Sequence, residues 1–275
     1  MLDPVGLHDE DEDLIRATEA RMRAAGRTAP ADPSASRPPA AAACADGKHP
    51  AARGGGAHAR FVHICLAEGF DLVAAARGRG GRATAEMCLH HLIFDAAKDI
   101  PRLGARLKAN PPIRAGRRDA LWDELDAGGA AFVSSDHGAW SPERESAASI
   151  FDVSAGMPGL EVLLPGLFAE ALRRRGSGDA AASRCARILA EGPAACFGLA
   201  GNGRLAPGAD ADIAVRALED TVYHTADDSE GPGQSACDGP TVAAQPRATH
   251  VAGTLAFDGA TVTEHRAGRY APRQG

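Results

Sequence analysis

No two of the six cysteines (Cys44, Cys65, Cys88, Cys185, Cys196 and Cys237) form a C-x-x-C pair, which excludes a zinc ribbon and a dithiol redox motif. Isolated thiols of this kind suit a cytosolic protein, where they stay reduced. No apolar run reaches the ~18 residues that a membrane span requires. The first ten residues are acidic, without a basic stretch followed by an apolar one, so no secretory signal is expected. Positive charge is not in excess either. Thirty Lys+Arg stand against 36 Asp+Glu, a net charge of −6, which leaves no basic footprint for a phosphate backbone and excludes nucleic acid as a partner. Aromatic residues are scarce at 4%, while the 44% apolar and 24% charged fractions are ordinary, which removes support for wholesale disorder, collagen or coiled coil. The expectation is a cytoplasmic protein without membrane attachment, whose 275 residues make one large domain or two small ones.

Short apolar runs alternate with longer stretches of helical spacing, the pattern of βα units on a parallel sheet. Four strands are predicted, at residues 2–7, 59–65, 82–87 and 130–134, each nearly continuous in apolar or small residues, as strands covered on both faces are. Leu14, Ile15, Thr18 and Met22 share one face of a predicted helix over residues 10–25. Proline and glycine density predicts that no helix survives between residues 30 and 58. A helix is predicted over 159–175, kinked or restarted by Pro165, and another over 181–189. Beyond them the sequence predicts a strand near Ile213, a loop over 226–246 and a hairpin over 249–262 turning at Asp258-Gly259. The domain reading is 1–200, then 201–275 as a C-terminal β segment with the loop near 226–246.

Three polar residues stand where predicted strands give out: His8 after Val-Gly-Leu, His63 within Arg-Phe-Val-His-Ile-Cys, and Asp136 after Phe-Val-Ser-Ser. In a parallel α/β barrel the C-terminal strand ends converge on one face, so residues distant in sequence become neighbours. Two imidazoles and a carboxylate meeting there are a donor set that zinc accepts. Taken singly, His8 reads equally as a polar lead into an acidic helix start, and Asp136 as a turn or helix cap. Gly78-Arg-Gly-Gly and Gly201-Asn-Gly lack the lysine of a phosphate cradle and read as turns.

A longer series of motifs bears on that choice. Thr84-Ala-Glu-Met-Cys-Leu-His-His-Leu-Ile-Phe-Asp is followed in order by Leu107-Lys-Ala-Asn-Pro-Pro-Ile-Arg, Ala120-Leu-Trp and Val133-Ser-Ser-Asp-His. Gly156-Met-Pro-Gly-Leu-Glu, Pro193-Ala-Ala-Cys-Phe-Gly-Leu and Gly208-Ala-Asp-Ala-Asp-Ile-Ala-Val complete it. The ordered series resembles the C-terminal half of the cyclic amidohydrolases, the group of dihydroorotase, allantoinase and hydantoinase/dihydropyrimidinase. The resemblance implies an α/β fold: strands five to eight of a partial TIM-type (β/α)8 barrel, then a small C-terminal β segment. It implies metal-dependent hydrolysis of a cyclic amide C–N bond, with a small cyclic amide or ureide as substrate. His8 becomes the metal-binding histidine of the fifth strand and His63 that of the sixth. Asp136 becomes the carboxylate after the eighth, both metal ligand and catalytic acid/base. Asn110, His137, Ser154 and Gly156 match segments that contact the substrate ring.

Zinc is the implied cofactor, two ions in complete relatives and at most a partial site here, because no His-x-His pair occurs in the chain and the family's bridging lysine has no counterpart. His90-His91 belong to the seventh-strand motif, where the resemblance assigns neither a ligand role. Four barrel strands alone leave two open edges, so an oligomer, or association with a complementary half or a paralogue, is expected. The isolated chain is then incomplete or inactive as an enzyme. The alternative is a non-catalytic amidohydrolase-like subunit bound to a complete paralogue.

Overall fold

The computed structural model describes residues 4–42, 57–141, 143, 147–223, 233–239 and 241–272. The contacts divide the chain into two units, Leu2–Glu161 with His224–Asp238, and Val162–Tyr223 with Gly239–Gly275 and Met1.

The first unit is α/β. Strands β1 (Pro4–Leu7), β2 (His58–Phe61), β3 (Arg82–Cys88) and β4 (Phe132–Ser134) form one sheet in that order. Every pairing is parallel, with Leu7 beside Phe61 and Phe61 beside Ala85. Parallel neighbours need a crossover between them. Helices Glu12–Ala24, Ala67–Gly78 and Arg118–Ala127 lie in the three intervals. The first begins where Asp11 accepts from the Leu14 amide at 3.0 Å, and Glu12 and Asp13 place negative charge in its first turn. The last ends at Gly128, which takes φ 82°, the left-handed conformation that closes a helix at little cost only for glycine.

The core lies between β3 and the helices that cover it. Ala83 to Cys88 are all buried, as are Phe70, Val73 and Ala76 on one covering helix and Leu121, Trp122 and Leu125 on the other. The Trp122 indole N–H donates to the Leu92 carbonyl at 2.9 Å, so its polar edge is satisfied inside the core. Polar side chains also run across the sheet, where Glu86 of β3 accepts from Arg60 of β2 and, at 2.5 Å, from Ser134 of β4.

The structure revises several sequence expectations for this unit. The outer strand β1 is not covered on both faces: Val5 is 55% exposed. A short helix, Asp32–Ser36, forms inside the proline-rich stretch. It is compatible with Pro33 because the first helical positions have no use for an amide proton. The glycine-rich part at 43–56 lies outside the described residues.

In the second unit, helix Leu163–Arg175 buries Leu167, Phe168 and Ala171, and helix Gly178–Ala186 packs beside it with Ala181 and Cys185 buried. Pro165 does not interrupt the first of these. It occupies the first turn, where it is tolerated, and the helix begins at Leu163 rather than at 159. A wide π turn over Arg187–Glu191 leads into Gly192–Phe197. Strands β5 (Ile213–Ala217), β8 (Gln245–Val251) and β9 (Thr254–Phe257) form an antiparallel sheet, and β6 (Thr221–Val222) pairs with β7 (Thr241–Val242). The hairpin turns at Ala252–Gly253. Asp258-Gly259 makes a second turn, returning Val262 to a bridge with Phe257. Of the predicted loop, 226–232 and 240 lie outside the described residues, Gln234 to Cys237, which belong to the first unit, are buried, and strands occupy 241–242 and 245–246. No helix among the described residues is long and apolar enough to cross a membrane.

Candidate functional site

All four strands of the first unit point the same way, so their C-terminal ends share one edge of the sheet. His8 follows β1 directly. His63, His90 and Asp136 each stand two residues past the ends of β2, β3 and β4. This places three imidazoles and a carboxylate, from segments as far apart as residues 8 and 136, along that edge.

The His8 and His63 rings meet edge to face, 4.5 Å between centroids, with His8 Nδ1 and His63 Nε2 2.8 Å apart. On its other side His8 Nε2 lies 2.9 Å from Glu10 Oε2. One ligating atom from each of Cys88, His90 and Asp136 lies within 4.8 Å of the others. The two groups are electrically linked. His8 bears on the Asp136 carboxyl, and His63 bears on His90. Of the three residues expected as ligands, the structure brings His8 and His63 into contact. It seats Asp136 against His90 and Cys88, within electrostatic reach of His8.

Burial sets the protonation of these groups. His63 falls from 6.5 to about 4, through desolvation first and the nearby His8 second. His90, fully enclosed, falls to about 3 for the same leading reason, with His63 adding to it. Both rings are therefore neutral at pH 7, with lone pairs to offer. Protein around the Asp136 carboxyl raises its pKa, and His8 opposes that rise. Burial holds the Cys88 thiol well above its ordinary range.

Backbone conformation marks the same places. His63 has φ 44° and Asp136 φ 47°, left-handed values that non-glycine residues adopt at a cost and that cluster at functional sites. These turns redirect the chain as it leaves the strands. The Nδ1 atoms of His63 and His90 are buried with no hydrogen-bond partner. Unsatisfied imidazole nitrogens beside a carboxylate are donors of the kind a borderline cation such as Zn2+ accepts, so the residues present fit a divalent metal.

The residues expected to touch substrate occupy the loops around this edge. His137 Nδ1 accepts from the amides of Gly159 and Leu160 at 3.3 and 3.2 Å, tying the loop after β4 to the segment that holds Ser154 and Gly156. The Gly156 amide donates to the Lys108 carbonyl at 2.8 Å, and Lys108 Nζ reaches back to the carbonyls of Ile150, Phe151 and Val153. Asn110 lies two residues on, its Oδ1 buried without a partner. His63 and Pro111 share the wall of a cavity of about 40 Å3. The sequence expectation assigned His90 no ligand role and gave Cys88 and Glu10 none. The signals available were a C-x-H at the end of β3 and an H-x-E at the end of β1.

An allantoinase of Rubrobacter xylanophilus is 37% identical over 214 residues, 77% of this chain and 46% of that protein. A dihydroorotase of Halobacterium salinarum is 35% identical over 209 residues, 76% of this chain and 47% of its own length. The chain belongs to the cyclic amidohydrolase family. Among solved structures, the L-hydantoinase (dihydropyrimidinase) of Arthrobacter aurescens superposes with a TM-score of 0.85 at 26% identity, covering 94% of this chain and 58% of that one. A D-hydantoinase gives 0.83 at 28% identity, with 94% and 57% covered. No family model matches the chain. This family member spans about half the length of the curated relatives it matches.

Proposed function

We propose that the chain forms strands five to eight of an amidohydrolase (β/α)8 barrel and its C-terminal β segment, and that it takes part in zinc-dependent hydrolysis of a cyclic amide C–N bond. Residues 1–200 and 201–275 are the two parts of that reading. The observation that carries it is the 2.8 Å approach of His8 Nδ1 to His63 Nε2 at the C-terminal edge of a parallel sheet, in a chain whose relatives are named allantoinase and dihydroorotase. His8, His63 and Asp136 would hold the zinc, with His90 and Cys88 beside them. A bound zinc ion polarises an amide carbonyl and makes water acidic enough to attack it near neutral pH.

The chain's own groups do the remaining work. Asp136 takes a proton from the attacking water as its oxygen bonds to the ring carbonyl carbon, then returns that proton to the ring nitrogen as the C–N bond breaks. Water is thus added across the bond and the ring opens. A carboxyl held above its ordinary pKa suits both halves of that transfer. Asn110, His137, Ser154 and Gly156 line the approach and orient the ring.

A second reading has its own support: the protein acts as an amidohydrolase-like subunit associated with a complete paralogue. Among the described residues β1 and β4 each have one neighbour in the sheet, and β1 exposes Val5. Open edges of this kind favour pairing with another chain.

Metal analysis of the purified protein, with hydrolysis assays on dihydroorotate, allantoin and hydantoin, tests the first reading. Zinc uptake that His8→Ala and His63→Ala abolish, with ring opening that Asp136→Asn abolishes, is the expected result. Absence of metal even after a polypeptide carrying the family's first four strands is supplied would refute it. Co-purification with an active full-length subunit would favour the second reading, and a stable isolated monomer would count against it.

A further inference from the structure

Glu10 is the least expected charge in the first unit. Its side chain is 1% exposed, yet it sits on a loop three residues past the end of β1. A carboxylate withdrawn from water is costly unless paired and hydrogen-bonded. Two groups supply the pairing: Glu10 Oε2 meets His8 Nε2 at 2.9 Å and accepts from Arg37 Nη1.

Arg37 is held in turn. It caps the C-terminus of helix Asp32–Ser36, and its carbonyl accepts from Arg114 Nη2 at 2.8 Å. The Asp11 amide donates to Ala41 at 2.9 Å, fastening the backbone next to Glu10 onto the same segment. Ser34 Oγ donates to the Ile113 carbonyl at 3.0 Å. The proline-rich stretch, which has no part in the proposed chemistry, thus builds a cationic clamp behind one buried carboxylate.

The consequence falls on His8. An ionised carboxylate only accepts hydrogen bonds, so the imidazole nitrogen facing it carries the proton. A neutral ring has one N–H, so the other nitrogen, Nδ1, carries the lone pair, and Nδ1 is the atom turned toward His63 Nε2. We propose that Glu10, clamped by Arg37, is a positioning residue that fixes His8 as its Nε2–H tautomer and aims the Nδ1 lone pair at the strand-end cluster. In the metal-free protein His63 then donates its Nε2–H to His8 Nδ1, which matches the unpartnered buried Nδ1 of His63. The effect on metal binding rests on the assignment of His8 as a ligand; the tautomer does not.

The test is long-range 1H–15N correlation of the histidine rings in the metal-free full-length chain, with competition titrations of Co2+ on the same samples. The wild type should show His8 as a single Nε2–H tautomer. Glu10→Ala should give a mixture of tautomers and weaken Co2+ about 10- to 100-fold, the usual loss when a ligating histidine's outer partner is removed. Glu10→Gln keeps an acceptor oxygen and should restore the Nε2–H form. Arg37→Met, which leaves the carboxylate in place but unclamped, should shift both readouts the same way by less. A wild-type His8 protonated on Nδ1 would overturn the proposal, and so would a Glu10→Ala protein with tautomer and affinity unchanged. If the wild type binds no Co2+, the ligand assignment falls, and the tautomer spectra still decide the role of Glu10.

Discussion

Lowering the pH from 7 to 5 should destabilise the first unit by an amount set by its buried histidines. His63 has a folded-state pKa of about 4 and His90 of about 3, against 6.5 for an unfolded histidine. Both folded values are depressed, so the unfolded chain binds more protons throughout the interval, and stability falls as pH drops below 6.5. Between pH 7 and 5 the linkage integral gives roughly 2 kcal/mol for each ring and about 4 kcal/mol for the pair. That is a large share of the 5–15 kcal/mol typical of a folded domain. His91 is shifted in the same direction and adds to the loss. The raised pKa of Asp136 works the other way, by proton uptake in the folded state. Urea titrations at the two pH values, followed by the fluorescence of Trp122 and Trp140, read this unit directly. His90→Leu should reduce the loss between pH 7 and 5 by roughly 2 kcal/mol while the urea slope stays constant. Equal midpoints at pH 7 and 5 would show that these rings are not buried neutral, and the electrostatic account of the cluster would fail.

Other perturbations have expected outcomes of their own. Trp122→Ala removes a buried ring and orphans the Leu92 carbonyl, so urea unfolding should show a loss of about 3–5 kcal/mol. Lys108→Met cuts the ties to the carbonyls of Ile150, Phe151 and Val153. Amide exchange over 150–156 should quicken, with about 1–2 kcal/mol of local stability lost after allowing for the partial exposure of this lysine. Gly156→Ala meets two obstacles, φ of 113° and a Cβ only 3.0 Å from Trp140 Nε1. It should cost about 1–3 kcal/mol by thermal unfolding. Under the proposed chemistry Asp136→Asn should lower kcat about 10²- to 10⁴-fold while Co2+ titration still detects His8 and His63.

Much of the first unit is legible in the sequence because β3 and β4 are largely buried and, Glu86 apart, are built mainly of apolar or small residues. The strand β1 reads the same way and is partly exposed, since composition does not register whether other elements pack over a strand's faces. Asp32–Ser36 was hidden by its prolines, which forbid a helix interior but not a first turn. The turn that joins β8 to β9 falls at Ala252–Gly253 and not at Asp258-Gly259, although Asp-Gly is the stronger turn sequence and Ala252 takes φ 48°, because strand register decides which turn closes the hairpin.

By itself, the sequence determined the class of the fold, the four strand cores and the order of motifs that marks the family, because these are properties of short segments and their succession. Tertiary structure alone decided what stands beside what at the strand ends. His63 reaches His8, Asp136 reaches His90 and Cys88, and Arg37 reaches Glu10, because parallel pairing aligns the ends of strands whose separation along the chain carries no information about distance. Protonation followed from the same packing, since burial lowers the pKa of an imidazole well below 7 and keeps the ring a neutral lone-pair donor.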